Sequence, residues 1–529
     1  MFATPANPGT VKVASVPAPI GGLNARDSIV VMEQTDAIIL RNWWPQPYGC
    51  TVRKGYRLWA SGLVGVISSL AALNNIDGTK YMFAWVDDEF YDITVTGVVA
   101  APLITALTPA PWQTVSFAND AGGWMIAVNG FDDPIFATGA TVGRFVAGDG
   151  IVPNTWDVLD PHDAIQLTTH QRRLWAVQKD TAVGWYLPPG AVYGDWEAFD
   201  FGPQMTRGGY LLFLANWTVD DGNGAEDHLV AFTSEGEAIV YSGTDVTDDA
   251  KWALAGVYYI GEPVAGRRTY AKVGGDLIIL TQQGAVSMTE TLVSIKAENQ
   301  ASRLKSDKIQ FLITEVTTQY SGQFGWELKY FPHINMLLVN VPTPVDGGNI
   351  QLCSNQLINS WTQFNAMDAT TWLNHDSAIY FGDYDGNVWL GWDGTVDAVG
   401  YTGIGGNSIT ATVQQAYSYL GAATQQKQIG MYRPNFITTV PVTFNSNIVY
   451  DFDTSILSAP DSVIPAVAAL WNVDLWNLAN WGGGTYVERR WIQARGMGNA
   501  ASIQLGVRST GETLWAATDY TYNVGSGVF

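Results

Sequence analysis

The hydrophobic and polar positions in the middle of the chain repeat a short unit, in which two apolar strands flank a turn rich in Gly, Asp or Asn. In the copy that starts at Asp227, Leu229 and Ala231 alternate with Val230 and Phe232, which is the two-residue period of a β-strand. Seven copies are found, and they begin at Thr79, Gly122, Arg172, Asp227, Gly274, Ile334 and Ser377.

The spacing of these copies indicates how the strands are arranged. Successive copies begin roughly 43 to 60 residues apart, close to the ~40–50 residues of a four-stranded propeller blade with loops of varying length. A series of β-sandwiches could give the same spacing, but seven copies in one run favour a radial repeat. The pattern therefore predicts an all-β fold built on a β-propeller of six or seven blades, with each hairpin as the inner pair of a blade.

The pattern changes on either side of the repeats. After Gly406 the strand-like runs become longer, which predicts a C-terminal β domain over residues 401–529 and places the propeller at 61–400. Residues 1–60 are predicted to be an N-terminal arm and docking segment, because four prolines within the first 19 residues indicate an extended chain.

Two shorter stretches carry their own predictions. Residues 32–47 predict a short helix, with Thr35 as its N-cap, Asp36 in its first turn and Trp44 as its end before Pro45. The C-terminal domain contains three tryptophans spaced five residues apart, which fits one face of neither a helix nor a strand and predicts a packed loop: Trp471, Trp476 and Trp481.

The composition narrows the class of protein. Of 529 residues, 47% are apolar and 14% charged, with 55 Gly and 22 Trp, a balance typical of Gly-turned strands. The net charge of −22 argues against a general nucleic-acid-binding protein, which would neutralise phosphates with Lys and Arg. Because the only cysteines are Cys50 and Cys353, we expect a reducing compartment and no disulfide framework. No secretory signal is recognised, and the mildly apolar run at 58–73 is too short for a membrane span.

Sequence signatures of catalysis, such as a phosphate loop, a nucleophile elbow or a Cys/His cluster, are not found. His162 and His170 are predicted to be ordinary polar loop residues. The acidic stretches from Asp220 and Asp383 could hold Ca²⁺, but Asp and Asn also favour tight turns, and the turn interpretation is preferred. We therefore predict no enzymatic activity, no cofactor and no metal site. Three arginine doublets are predicted to be solvated strand ends or partners of acids: Arg172/Arg173, Arg267/Arg268 and Arg489/Arg490.

Residues 40–56, LRNWWPQPYGCTVRKGY, gather two tryptophans and three cations in an acidic chain. Together with the preceding GGLNARDSIVVMEQTDAIIL and with RRLWAVQKDTAVGWYLPPGAVYGDWEAFDFG from Arg172 and HLVAFTSEGEAIVYSGTD from His228, this stretch resembles tail nozzle proteins of short-tailed bacteriophages. That group includes tail tubular protein B. The resemblance continues in WALAGVYYIGEP from Trp252 and GGDLIILTQQG from Gly274, and so covers most of the chain.

The resemblance implies a β-propeller protein that assembles as a homo-hexamer below the head–tail adaptor protein, where it forms the lower tail tube. It implies no enzymatic activity, contact with tail fibre or spike proteins, and DNA that passes through the lumen without sequence-specific binding. The location would be the tail of the virion, after assembly in the bacterial host cytoplasm. An acidic lumen would repel phosphates and let the genome slide. The alternative is a virion-associated propeller that binds or hydrolyses glycans on the host surface.

The opening stretch then becomes a candidate subunit or adaptor interface. The two tryptophans would be buried anchors, and the cations would pair with acids of a neighbouring subunit. The residues of this candidate interface are Trp43, Trp44, Arg53, Lys54, Tyr56 and Arg57. The alternative is that both tryptophans attach the N-terminal segment to this chain's own β domain.

Overall fold

Seven blades of three or four antiparallel strands succeed one another around a common axis in the computed structural model, which describes residues 11–220, 225–294, 304–343, 348–461 and 485–525. Each sheet contacts the next mainly through its innermost strand, and the seventh contacts the first, so the sheets close a ring. The chain therefore contains a seven-bladed β-propeller, and the prediction of an all-β propeller fold is confirmed.

Five strands precede the propeller: β1 (Lys12–Pro17), β2 (Gly22–Leu23), β3 (Asp36–Arg41), β4 (Trp43–Gln46) and β5 (Gly49–Val52). The next strands are β6 (Tyr56–Ser61); blade 1 with β7 (Ile67–Asn74), β8 (Lys80–Val86) and β9 (Glu89–Asp92); β10 (Gly97–Val98); blade 2 with β11 (Gln113–Asn119), β12 (Gly122–Val128), β13 (Ile135–Ala137) and β14 (Val142–Arg144); and the short β15 (Val146–Ala147) and β16 (Thr155–Asp157). Blade 3 has β17 (Ala164–His170), β18 (Arg173–Gln178), β19 (Val183–Tyr186) and, after the short β20 (Gly194–Asp195), β21 (Glu197–Asp200).

The second half of the ring holds blade 4 with β22 (Leu211–Asp220), β23 (Ala225–Thr233), β24 (Glu237–Gly243) and β25 (Trp252–Tyr259); blade 5 with β26 (Tyr270–Val273), β27 (Asp276–Thr281) and β28 (Gly284–Ser287); helices α1 (Met288–Ser294) and α2 (Gln310–Tyr320); blade 6 with β29 (Glu327–Phe331), β30 (Met336–Val341), β31 (Ile350–Asn355) and β32 (Ser360–Phe364); and blade 7 with β33 (Thr371–His375), β34 (Ala378–Gly382) and β35 (Val388–Gly391). The chain continues with β36 (Val396–Asp397), β37 (Asn407–Gln415), β38 (Lys427–Thr438), β39 (Thr443–Tyr450), β40 (Tyr486–Arg489), β41 (Ile492–Gln493), β42 (Ala501–Ser509) and β43 (Thr513–Val524). Short 3-10 turns occupy Pro161–Asp163, Gly202–Gln204, Asp307–Ile309 and Pro332–Ile334.

The seven repeats in the sequence coincide with the second and third strands of the seven blades. They are not the inner pair, because a further strand precedes each hairpin and lies nearest the axis, as β17 does before β18 and β19. Several of these innermost strands lack the long apolar run that marks the hairpins, whereas β22 begins with five apolar residues, LLFLA. In β11, QTVSFAN, polar residues interrupt the apolar ones and several are exposed.

The ring is closed by a strand from the other end of the propeller region. β6 pairs antiparallel with β35, Tyr56 opposite Gly391, and becomes the fourth strand of blade 7. Blade 7 therefore contains strands from the beginning and from the end of the propeller region. The first propeller strand begins at Tyr56, ahead of the predicted boundary at residue 61.

The second domain is a sandwich of two sheets that combine strands from both ends of the chain. One sheet has the order β4, β5, β43, β38, β40, with β1 also paired to β43 and β41 to β38. The other has the order β3, β37, β42, β39, and it is continuous with blade 6 because β32 pairs with β3. Trp43, Val413, Ile503 and Trp515 are buried in the core between them. Residues 12–52 are thus structural strands of this domain, which corrects the prediction that residues 1–60 form a separate docking arm.

The predicted short helix at residues 32–47 is wrong. β3 and β4 occupy this segment, since Leu40 pairs with Val413 of β37, and Trp43 pairs with Val52 of β5 in a tight hairpin. Long-range pairing decides the conformation, and Pro45 is tolerated because β4 lies at the edge of its sheet.

Two further sequence predictions concern this half of the molecule. Trp471, Trp476 and Trp481 lie outside the described residues. Cys50 and Cys353 are both buried as free thiols. In the described part of the chain, no helix combines the length and apolar character needed to cross a membrane.

Candidate functional site

The two adjacent tryptophans of the predicted interface are buried in different domains of this same chain. Trp43 is 0% exposed and packs against Trp515 in the sandwich core, with ring centroids 5.9 Å apart. Trp44 is 3% exposed and meets Trp392 edge-on at 5.5 Å and Phe364 at 6.1 Å, in the apolar cluster of blades 6 and 7. Successive strand residues point to opposite faces, so β4 joins the propeller to the sandwich through this pair.

Arg53 follows immediately after β5 and is fully buried at the same junction. Its guanidinium makes a bidentate pair with Asp397, with N to O distances of 2.7 and 2.8 Å. The remaining N–H groups donate to Asn42 Oδ1 and to the main-chain oxygens of Lys54 and Asn365, each at 3.0 Å. All five donors of the arginine are therefore satisfied within the chain, which is the condition for burying such a charge.

Lys54 and Arg57 pair with acids of their own chain, at positions more open to solvent. Lys54 Nζ contacts the Glu512 carboxylate of the sandwich. Arg57 Nε lies 3.1 Å from Asp393 Oδ2, and both side chains are about 40% exposed. Lys54 and Arg57 thus each have a partner within the chain, and their pairing with acids of a neighbouring subunit stays a prediction.

Tyr56 lies at the start of β6 and packs edge-on against Phe381 and Trp389 of blade 7. Its hydroxyl donates to the Ala366 carbonyl oxygen at 3.1 Å, and burial raises the pKa of this tyrosine to about 12. Because Trp43, Trp44 and Arg53 are enclosed, the residues left accessible to a partner are Lys54, Tyr56 and Arg57. Their contact with a neighbouring subunit stays a prediction.

A groove of about 660 Å³ opens beside this junction, between the propeller and the sandwich. Trp44 and Trp392 line it on the propeller side, and Ile437 and Leu514 line it on the sandwich side. Lys54 belongs to the same lining, so the accessible part of the predicted interface borders a partly apolar groove.

The axis of the propeller is closed by Arg268, which the sequence predicts to be a solvated strand end or the partner of an acid. From the segment before β26 it reaches across the axis and donates to Thr371 Oγ1 of blade 7 at 2.7 Å, and to the carbonyl oxygens of Ser68 of blade 1 and Trp112 before blade 2, each at 3.0 Å. Glu327 of blade 6 lies 3.8 Å away. Burial lowers the pKa of Arg268, and Glu327 partly offsets this.

Gln166 provides the complementary link on the other side of the axis. This side chain of β17 donates to the Leu214 carbonyl oxygen at 3.0 Å and to the Tyr270 hydroxyl at 3.3 Å, and it accepts from Leu214 N at 3.0 Å. It thereby joins blades 3, 4 and 5, while Arg268 joins blades 5, 6, 7 and 1 to the start of blade 2. Neither role could be derived from the sequence, because both depend on which blades face each other across the ring.

The two histidines considered for chemistry are far apart. His162 is half-exposed in the turn before β17 and lies 3.1 Å from Asp160 and 3.2 Å from Asp133. His170 ends β17, is buried edge-on against Trp252, and has its pKa lowered to about 4 by burial. A seven-residue strand of ~20 Å separates them, so they form no catalytic pair.

The acidic stretch from Asp383 is a tight turn. The Asp383 carboxylate accepts hydrogen bonds from the backbone N–H groups of Asp385 and Asn387, and from the Trp389 ring N–H at 2.7 Å. These bonds satisfy the carboxylate oxygens within the turn, in keeping with the backbone interpretation. The core of the other acidic stretch, residues 221–224, lies outside the described residues.

Known proteins were compared with the chain as a whole. No protein-family model matches it, and no curated protein sequence matches it. Among solved structures, YCF48 bound to D1 peptide is similar at 11% identity and a TM-score of 0.34, covering 66% of this chain and 94% of its own. BBS1N in complex with ARL6DN is similar at 10% identity and a TM-score of 0.35, covering 64% of this chain and 98% of its own. Both are β-propeller proteins, and the blade arrangement described above follows from the strand pairing of this chain itself.

Proposed function

We propose that this chain is a structural virion protein that forms the nozzle, or lower tail tube, of a short-tailed bacteriophage. Six copies would assemble as a ring below the head–tail adaptor, retain the packaged DNA and conduct it during ejection. The observation that carries the proposal is where the resembling stretches lie. Residues 21–56 form strands of the sandwich and its junction with the propeller, and the others form strands of blades 3, 4 and 5.

The closed axis supports a conduit that runs outside the single propeller. Arg268 spans the propeller centre, and the cavity beside it is about 300 Å³. A DNA duplex therefore does not pass through a single propeller, and the proposed channel is the lumen between six copies. With a net charge of −22, such a lumen would repel phosphates and not trap the genome.

The glycan-processing alternative has less support in this geometry. Glycoside hydrolysis uses two carboxyl groups on opposite sides of the scissile bond. Glu327 is the single carboxylate among the residues that line the axial cavity, and it is ion-paired with Lys329 at 3.2 Å. We therefore prefer the structural role to the enzymatic one.

The first test is quantitative mass spectrometry of purified virus particles from the source, counting copies of this chain against the major capsid protein. About six copies per particle, as a single six-fold ring requires, are expected. Absence of the chain from purified particles would end the proposal.

Ring formation can be tested separately on the exposed face of the sandwich. Val13 of β1 and Met431 of β38 lie opposite Thr521 of β43, one on each side, so the three side chains share one face of the sheet. Val13 is 71% exposed and Met431 is 41% exposed. If this face joins subunits, Val13→Glu/Met431→Glu remains monomeric by mass photometry where the unchanged chain forms hexamers with its adaptor. The matched control is Ile76→Glu/Leu357→Glu, at two propeller positions that are each 67% exposed. Hexamers of the Val13/Met431 variant would place the subunit contact elsewhere.

A further inference from the structure

The propeller axis holds a cluster of cations that the proposed function does not use. Arg267, Lys272 and Lys329 line the same cavity of about 300 Å³ as Arg268 does, and the lining contains one carboxylate, that of Glu327. Four cations against one carboxylate leave a formal charge of +3 at this place, in a chain whose net charge is −22. The formal charge of the cavity lining is thus opposite in sign to the net charge of the chain.

Two of these cations have no partner in the described part of the chain. Glu327 is shared between Lys329 at 3.2 Å and Arg268 at 3.8 Å. Arg267 and Lys272 form no ion pair and no side-chain hydrogen bond with any described residue, and the Nε of Arg267 is buried without a partner. The two unpartnered cations therefore differ from every other cation of the junction and the axis.

Burial without a partner is costly for a cation. For Arg267, whose Nε is buried, this loss of water lowers the pKa, and Tyr210 and Asp180 only partly offset it. Lys272 lines the same cavity with an exposed side chain; its partial loss of water lowers the pKa of this lysine, and Asp227 partly offsets that. An anion in the cavity would restore the lost interactions. Neutral side chains that can donate hydrogen bonds, those of Thr114, Tyr270 and Asn374, line the same cavity.

We propose that this axial cavity binds a small phosphate-class oxyanion through Arg267 and Lys272. Its volume lies at the lower end of the ~300–1,000 Å³ usual for small-ligand sites, so the ligand is a compact anion. The planar guanidinium of Arg267 matches two phosphate oxygens at once, and Lys272 adds a point charge. Arg268 keeps its place as the link between blades, since both of its terminal nitrogens already donate to other blades.

Isothermal titration calorimetry on the full chain tests the site, with inorganic phosphate and then pyrophosphate as probes, at ionic strength held constant with potassium chloride. Saturable binding is expected for the unchanged chain. Arg267→Gln/Lys272→Gln should weaken it by at least about 10-fold, because each charge-assisted hydrogen bond is worth roughly a factor of 10 to 100. The matched control, Arg489→Gln, removes a charge from an exposed strand of the sandwich and should bind as the unchanged chain does.

Phosphate should also raise the melting temperature of the unchanged chain and of the control, but not that of the double variant. If the Arg267 substitution prevents folding, Lys272→Gln decides alone, since this side chain is exposed and its loss should still weaken binding about 10-fold. No saturable binding of either probe, or equal binding by the variant and the control, would overturn the proposal.

Discussion

Replacing Arg53 by methionine tests whether the junction holds the two domains together within one chain. The arginine side chain is 0% exposed, and its five N–H groups are all engaged, two of them with Asp397. Methionine keeps much of the aliphatic volume and none of the donors. The Asp397 carboxylate, with a side chain only 8% exposed, would then remain buried without its counter-charge.

The expected loss follows from this burial. Removing one partner of a buried ion pair costs about 3–5 kcal/mol, a large part of the roughly 5–15 kcal/mol that separates a folded domain from its unfolded state. Arg57→Met is the matched control, because its pair with Asp393 is about 40% exposed on both sides and is worth roughly 0–1 kcal/mol. Arg53→Met/Asp397→Leu should recover part of the loss, since it leaves no uncompensated carboxylate.

Urea denaturation of the purified monomer, followed in parallel by tryptophan fluorescence and far-UV circular dichroism, measures these differences where the two signals coincide. Equal stability of the Arg53 and Arg57 variants would refute the reasoning. It would also favour the other role for Arg53, because a residue that serves only a neighbouring subunit leaves the isolated chain at its original stability.

Three further predictions concern individual residues. Burial lowers the pKa of folded His170 to about 4, so between pH 6.5 and 4 the unfolded chain binds a proton at this histidine that the folded chain does not. The free energy of unfolding should therefore fall by about 3 kcal/mol as the pH is lowered over this range. In urea denaturation, His170→Gln should remove that part of the pH dependence. Gly55→Ala should lower the free energy of unfolding by about 1–3 kcal/mol, because a Cβ there would lie 1.8 Å from the Val396 carbonyl oxygen. Gly322→Ala is the control, since a Cβ there meets nothing within 4 Å. Equal urea midpoints for the two variants would contradict this prediction. Burial raises the pKa of the Cys50 and Cys353 thiols, so a colorimetric thiol reagent should react with them only after unfolding, and rapid reaction of the native chain would show the burial to be wrong.

The blade hairpins could be predicted because their information is local. Each consists of two strands a few residues apart, and the alternation and the turn lie in one window, as in β23 and β24. The sandwich could not be predicted in this way. β1 pairs with β43, Lys12 opposite Tyr522, and β3 pairs with β37, so the partners that make these residues strands lie at the other end of the chain.

The candidate site shows the same division. The sequence drew attention to Arg53 and the two tryptophans by residue type, but Asp397, which explains the arginine, is 344 residues away. Arg268 was visible as half of a doublet, and the doublet alone could not distinguish a solvated strand end from a group that crosses the ring. Arg172 remains exposed, while Arg173 beside it is buried 3.0 Å from Asp245. The two arginines of a doublet therefore differ in burial and partners only because of contacts that the folded ring makes.

The propeller is an insertion in the sandwich, since residues 12–52 and 407–525 build the second domain together. The chain therefore crosses between the domains twice, and Arg53 in the first crossing is paired with Asp397 in the second. Gly55 also exchanges backbone hydrogen bonds with the second crossing. A domain on one linker can swing about a few residues, but two crossings bonded to each other offer no such hinge. Blade 6 adds a further connection, because its strand β32 pairs with β3 of the sandwich. If this protein holds back packaged DNA, load on the propeller can reach the sandwich through blade 6 and through these paired segments, and movement at the two crossings must break the buried ion pair.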